Sequence, residues 1–206
     1  PGASDEPTFH FKPLALPAQF GPGFGVVCSD LDGDGNADIY LVQNQRSTHP
    51  ELAPLDGAVS QLLLGDGRGD FAPVEPRRSG LIEPGDAKAC MLADLNGDDW
   101  PDLAISLNNR SLSAFTHRAD GDGRAMLCVE LPAGAAGARV TVRADELAPQ
   151  MAELAIGGGY ASHAAPLLWF GLGSGKRAGE ITVRWPDGKE TRQPFTGTRV
   201  RIAAPK

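Results

Sequence analysis

Two short segments of this chain carry oxygen-bearing side chains at a regular spacing that suits cation coordination. They read DLDGDGNAD at 30–38 and DLNGDDWPD at 94–102, with side-chain oxygens at offsets 0, 2, 4 and 8 from the first Asp. The backbone carbonyl at offset 6 is a further candidate ligand in each segment. Ca²⁺ takes about six to eight oxygen ligands, which a tight loop with an oxygen at every second residue can wrap around one point. The spacing therefore favours coordination of a hard cation such as Ca²⁺ in each segment.

The residues around these two Asp loops predict that each loop connects two β-strands. GVVCS and IYLV flank the first loop, and CMLA and LAISL flank the second, at an offset of 64 residues. Gly33 and Gly97 allow tight curvature because glycine readily adopts positive φ. The alternative for a single Asp-rich loop is an Asx turn without metal. Two copies with matched offsets favour metal, because four carboxylates packed into nine residues of the first loop repel one another without a counter-ion.

The composition favours a turn-rich all-β protein and argues against several classes of function. The 206 residues include 26 Gly and 17 Pro, while 41% of them are hydrophobic, enough for a packed core. The net charge of −7 offers no broad basic face, so we expect no nucleic-acid partner. No apolar run reaches the roughly 18 residues that a membrane span needs. Cys28, Cys90 and Cys128 are too few for a disulfide framework, and the sequence leaves open whether Cys28 and Cys90 are bridged.

From residue 125 the pattern changes to short strands separated by turn residues. Period-two alternation is clear at Val140 and Val142, where Thr and Arg occupy the intervening positions. WPDG at 185–188 predicts a hairpin turn. About seven such strands predict a small β-sandwich or barrel-like domain. The predicted strands cover 125–131, 138–144, 150–156, 166–172, 180–185, 189–195 and 198–204.

These motifs resemble those of two known families. DLDGDGNAD and DLNGDDWPD, each between apolar strands, are similar to the calcium loops of FG-GAP/VCBS repeats, the blades of integrin-α-like β-propellers. GARVTV, GGGYASHAAPLLWFGLG and ITVRWPDG look like the ASPIC/UnbV domain, which follows such repeats in secreted cartilage-acidic-protein-like proteins. The resemblance implies that Asp30, Asp32, Asp34 and Asp38, with the Asn36 carbonyl, hold one Ca²⁺, and that Asp94, Asn96, Asp98 and Asp102, with the Trp100 carbonyl, hold a second. With the proline-rich start of the chain, it predicts an extended arm at 1–19, two FG-GAP/VCBS-like repeats at 20–124 and an ASPIC/UnbV-like β domain at 125–206.

The number of repeats predicts that the propeller is incomplete. A closed propeller has about four to eight blades, whereas this sequence shows two repeats. Open sheet edges expose unpaired backbone groups and are normally covered. We therefore expect a protein partner, a second copy of the chain or further N-terminal blades to cover them.

The loops and the resemblance together predict a calcium-binding interaction or scaffold module that is extracellular, on the cell surface or periplasmic. In this hypothesis Ca²⁺ rigidifies the β-loop-β turns that present a binding surface. The four histidines lie far apart and accompany no nucleophile motif, so we predict no enzymatic activity. The alternative is a non-catalytic subunit or accessory domain of a larger secreted enzyme or complex, with a glycan as its partner. The aromatic residues that could form such a glycan platform are Trp100, Tyr160, Trp169, Phe170 and Trp185.

Overall fold

The computed structural model describes residues 10–44, 51, 57–118, 123–145, 147–155, 157, 163–174 and 178–205. Nearly all regular structure in these residues is β, which confirms the predicted all-β class. Helical structure among them is limited to a 3-10 turn, Leu16–Gln19, and one turn of α-helix, Pro76–Ser79. No helix in the described part of the chain is long and apolar enough to cross a membrane. Of the predicted N-terminal arm, residues 1–9 lie outside the described residues and 10–15 have no regular secondary structure.

The first repeat forms a four-stranded antiparallel sheet whose strands follow chain order. The first Asp loop connects its first two strands, and Ser29 pairs with Asp38 where the loop closes. Residues 45–50 and 52–56, between the second and third strands, lie outside the described residues. The strands are β1 (Gly23–Ser29), β2 (Asp38–Gln43), β3 (Gln61–Gly65) and β4 (Phe71–Pro73).

The second repeat forms a three-stranded antiparallel sheet built in the same way. Its strands are β5 (Ala87–Ala93), β6 (Asp102–Leu107) and β7 (Ser113–Phe115). The second Asp loop connects β5 to β6, and Ala93 pairs with Asp102 at the position equivalent to the Ser29 pair. The two repeats therefore share one β-loop-β unit, as their 64-residue offset predicted.

Strands β1 and β5 contact each other where the two repeat sheets meet. A Cβ on Gly25 of β1 would lie 3.1 Å from the carbonyl oxygen of Lys88 and 3.3 Å from the Cα of Ala89. This close approach favours glycine in β1. The two Asp loops lie at the same end of the pair, since the indole of Trp100 from the second loop packs on Gly33 of the first.

The C-terminal strands form two sheets that pack as a sandwich around one core. One sheet has the order β10-β9-β12-β13 and the other the order β11-β8-β14. All seven predicted strands are present, and the described strands close no barrel, so the sandwich alternative is the one adopted. The strands are β8 (Met126–Glu130), β9 (Arg139–Ala144), β10 (Gln150–Glu153), β11 (Leu167–Gly171), β12 (Ala178–Arg184), β13 (Glu190–Thr196) and β14 (Arg199–Arg201).

Two sandwich strands are buried on both faces, because their outer faces pack on the repeats. In β8, Leu127 belongs to the sandwich core, whereas Cys128 belongs to the core of the repeats. In β11, Phe170 faces the sandwich core and Trp169 faces the repeats. Strands β8 and β11 therefore contribute side chains both to the core of the sandwich and to the core of the repeats.

Burial decides the role of several side chains that the sequence left open. Trp169, Phe170 and Trp185 are 5%, 2% and 5% exposed, so they are core residues and do not form a glycan platform. Tyr160 lies outside the described residues. All the cysteines are free thiols, so Cys28 and Cys90 are not bridged.

Candidate metal centre

The first Asp loop is organised by backbone N–H groups that donate to its own carboxylates. The N–H groups of Gly33 and Gly35 donate to the Asp30 carboxylate at 2.6 and 2.7 Å. The Asp38 carboxylate accepts two further backbone N–H groups at 2.8 and 2.9 Å, one of them from Gly65 of β3. Gly33 and Gly35 have φ values of 78° and 92°, a region that glycine enters without steric cost. The loop therefore holds its two end carboxylates in fixed positions.

The carboxylates of Asp30, Asp32 and Asp38 converge on one point. One oxygen of each lies within 4.8 Å of the others. Oxygens bound to a single Ca²⁺ at about 2.3–2.6 Å can stand up to about 5 Å apart, so this spacing fits one ion. Among the described residues, which include the whole second loop, this is the only such group of three His, Cys, Asp or Glu side chains.

Burial makes two carboxylates of this group, those of Asp30 and Asp38, difficult to ionise in the absence of a cation. It raises the pKa of Asp30 to about 7, although hydrogen bonds from Gly35 and Gly33 act in the opposite direction. Burial likewise raises the pKa of Asp38 to about 6. The two residues are only 5% and 1% exposed. A bound cation would offset both the desolvation of these groups and their mutual repulsion.

The other predicted ligands of the first loop, Asp34 and Asn36, pair with each other. Asp34 accepts the backbone N–H of Asn36 at 2.7 Å and its side-chain amide at 3.1 Å. Both residues line a groove of about 880 Å³ between the first repeat and strands β10 and β11. The Asp34 carboxylate therefore lies at the groove side of the loop and outside the group formed by Asp30, Asp32 and Asp38.

The second Asp loop repeats this backbone pattern but has a different charge partner. Asp94 accepts the N–H groups of Gly97 and Asp98 at 2.8 and 3.1 Å. Its Oδ2 also lies 2.7 Å from Nη1 of Arg199 in β14, which is 3.0 Å from Oδ1 of Asp99. A guanidinium therefore contacts the residue that corresponds to Asp30.

The remaining predicted ligands of the second loop are engaged in local hydrogen bonds. Asp98 accepts the side-chain amide of Asn96 and the backbone N–H of Trp100, each at 2.9 Å. Asp102 accepts the N–H of His117 at 2.6 Å, and the His117 ring stacks on Trp100 with a centroid separation of 4.0 Å. At the positions of Asp30, Asp32 and Asp38 this loop has Asp94, Asn96 and Asp102, so it offers two carboxylates and one amide oxygen where the first loop offers three carboxylates.

Two residues far away in the chain contact the first loop: Gly171 of the sandwich, and Arg124, which precedes β8. The N–H of Gly171 donates to Asp30 Oδ2 at 3.0 Å, across 141 positions of sequence. The guanidinium of Arg124 contacts the Asp32 carboxylate at 2.7 Å and the Asp32 carbonyl oxygen at 3.0 Å. No local pattern marks these residues, because their role depends on a loop far away in the chain.

The fold and the loops define a two-part all-β protein in which Asp-loop repeats precede a β-sandwich. Residues 30–105, which include both loops, match the family model of the FG-GAP-like repeat. Residues 131–203 match the family model of ASPIC and UnbV. The chain carries an FG-GAP-like repeat region followed by an ASPIC/UnbV domain, which confirms the resemblance inferred from the motifs. No curated protein matches the chain.

Proposed function

We propose that this chain is a calcium-stabilised interaction or scaffold module that acts outside the cytoplasm, either extracellularly, at the cell surface or in the periplasm. The two domain families are consistent with an interaction or accessory module. In the proposal one Ca²⁺ is held by the first Asp loop and has a structural role, and the ordered loops present a surface to a protein partner. Calcium sites of extracellular modules have dissociation constants of about 10⁻⁴–10⁻³ M, which the calcium concentration outside cells can load.

The convergence of Asp30, Asp32 and Asp38 is the observation that carries this proposal. Two of these carboxylates are almost fully buried, and backbone N–H groups orient both. An all-oxygen donor set of this kind suits a hard cation such as Ca²⁺ better than a metal that prefers sulfur or nitrogen. When bound, Ca²⁺ would add positive charge beside the buried carboxylates of Asp30 and Asp38, in a loop where Arg124 already contacts Asp32.

Calcium is expected to raise the thermal stability of the protein. A ligand that binds only the native state adds about 2.7 kcal/mol at a hundredfold excess over Kd, or roughly 5–10 °C for a chain of this size. Asp34→Ala should reduce this shift, because the spacing of the loop makes Asp34 a candidate ligand for the same ion, although without calcium it accepts hydrogen bonds from Asn36. Melting curves in excess EDTA and in CaCl₂ at about a hundredfold excess over Kd, roughly 10–100 mM for the dissociation constants above, measure both effects by circular dichroism.

Asp98→Ala is the matched control, since Asp98 occupies the equivalent position in the second loop and makes equivalent hydrogen bonds. We expect this variant to keep the calcium shift. Equal melting temperatures in EDTA and Ca²⁺ for the wild type would contradict the proposed calcium site.

Arg199 is expected to limit the protein to one strongly bound Ca²⁺. Its guanidinium contacts Asp94 and Asp99, so the buried carboxylate that corresponds to Asp30 already has a cationic partner; the Asp94 side chain is only 3% exposed. Arg199→Gln removes this charge and should allow the second loop to bind Ca²⁺, raising the stoichiometry measured by calorimetry from one to two. Two equal sites in the wild type, or one site in the folded variant, would show that Arg199 does not take this role.

A further inference from the structure

The last residue of β11 is built into the first Asp loop. Besides the bond from the Gly171 N–H to Asp30 Oδ2 at 3.0 Å, the N–H of Gly173 donates to the carbonyl oxygen of Gly33 at 3.0 Å. The side-chain amide of Gln150 in β10 holds the Gly171 carbonyl oxygen at 2.6 Å. The peptide groups on both sides of Gly171 therefore have fixed partners, one in the repeat and one in the sandwich.

This contact requires glycine at position 171. A Cβ there would overlap Asp30 Oδ2 and would lie 2.6 Å from the carbonyl carbon of Gly33. The first of these atoms is a buried carboxylate and the second belongs to the backbone, so neither can move aside at low cost. Any larger residue must therefore separate β11 from the Asp loop or turn the Asp30 carboxylate away.

We propose that Gly171 is a positioning residue for the metal loop, and that docking of the ASPIC/UnbV sandwich on this loop is coupled to calcium binding. The inference rests on the proposed function, because it needs the first loop to bind Ca²⁺. Hydrogen bonds to a metal ligand orient that ligand, and their loss typically weakens metal affinity by about 10–100-fold. The coupling is reciprocal, since a contact that strengthens calcium binding is itself strengthened by bound calcium.

The first test compares Gly171→Ala with the wild type by calorimetric titration with CaCl₂. We expect the dissociation constant of the variant to be about 10–100-fold larger. Gly134→Ala is the matched control, because Gly134 lies in a turn of the same domain, has no atom within 4 Å of a built Cβ and does not have a left-handed φ. This control should bind Ca²⁺ as tightly as the wild type.

The second test uses only the wild type and therefore does not depend on whether Gly171→Ala folds. Hydrogen exchange of the Gly171 and Gly173 amides, followed by NMR, should slow by about tenfold or more on addition of CaCl₂. This factor corresponds to a stabilisation of roughly 1.4 kcal/mol of the contact. The amides of β12 and β13, in the other sheet of the sandwich, should change much less.

The outcomes separate this inference from the proposed function. If the wild type binds no Ca²⁺, the proposed function fails. If the wild type binds Ca²⁺ while Gly171→Ala has the same affinity, or while exchange at Gly171 and Gly173 is unchanged, the coupling is wrong and the calcium site stands. Weaker binding in Gly171→Ala alone, together with slower exchange in the wild type, supports the coupling.

Discussion

Asp30→Ala is expected to lower the free energy of unfolding of the metal-free protein by about 3 kcal/mol, because it removes the acceptor of several backbone N–H groups. The backbone N–H groups of Gly33, Gly35 and Gly171 donate to the Asp30 carboxylate. Each buried donor left without an acceptor costs about 1–3 kcal/mol. The substitution also relieves the repulsion between Asp30 and its acidic neighbours, which offsets part of this loss. The expected decrease in the free energy of unfolding is therefore at the lower end of the range for three unsatisfied donors. Urea unfolding in excess EDTA measures the difference.

Asp32→Ala provides the comparison, since Asp32 belongs to the same acidic group but has a different structural role. Its carboxylate accepts one loop N–H at 3.1 Å and pairs with the partly exposed Arg124. Its removal should change the metal-free stability by about 1 kcal/mol or less. Both variants should lose the calcium-induced rise in melting temperature. Equal metal-free stabilities for the two variants would mean that Asp30 does not organise the contact between the loop and the sandwich.

Trp169→Ala is the second change with a large expected effect, because Trp169 fills the space between the sandwich and the repeats. It is 5% exposed and packs in the core of the repeats, although it belongs to a sandwich strand. Truncation of a buried tryptophan to alanine costs about 3–5 kcal/mol through lost burial and the cavity left behind. For a chain of this length, that loss lowers the melting temperature by roughly 6–20 °C. Calorimetric melting of the metal-free protein gives the value.

Met151→Ala controls for loss of apolar area on the neighbouring strand β10. The Met151 side chain is 67% exposed, so its truncation should change the stability by no more than about 0.5 kcal/mol. A melting temperature of Trp169→Ala close to that of Met151→Ala would show that the sandwich and the repeats do not depend on each other for stability.

The sequence by itself determined the local architecture of this protein. Period-two alternation placed all seven strands of the sandwich, and the matched Asp loops placed the β-loop-β units of both repeats. These features are readable because they depend on neighbours: a strand shows its buried face every second residue, and a tight loop needs glycine and Asx residues at fixed offsets. For the same reason the sequence could nominate both loops as metal sites, since each loop contains its own ligands.

The tertiary structure decided which partners each loop has. The Asp spacing predicts a site in each loop, and the sequences differ by Asn96 in place of Asp32. In the structure Arg199 contacts Asp94 in one loop, whereas Gly171 and Arg124 contact the other. These partners lie far away in the chain, between 92 and 141 positions from the loop residues they contact. Contacts over such separations leave no periodic pattern, because they are set by how the sandwich packs on the repeats.

The packing of the sandwich on the repeats also explains why the sequence did not predict which aromatic side chains are buried. Trp169 and Phe170 are adjacent and face opposite sides of β11, and one-sided burial is the usual expectation for a strand of an antiparallel sheet. Here a second surface, that of the repeats, covers the outer side of β11 and β8. The local sequence therefore determined which side chains lie on each face of the strand. The packing of the whole chain decided which part of the protein covers each face.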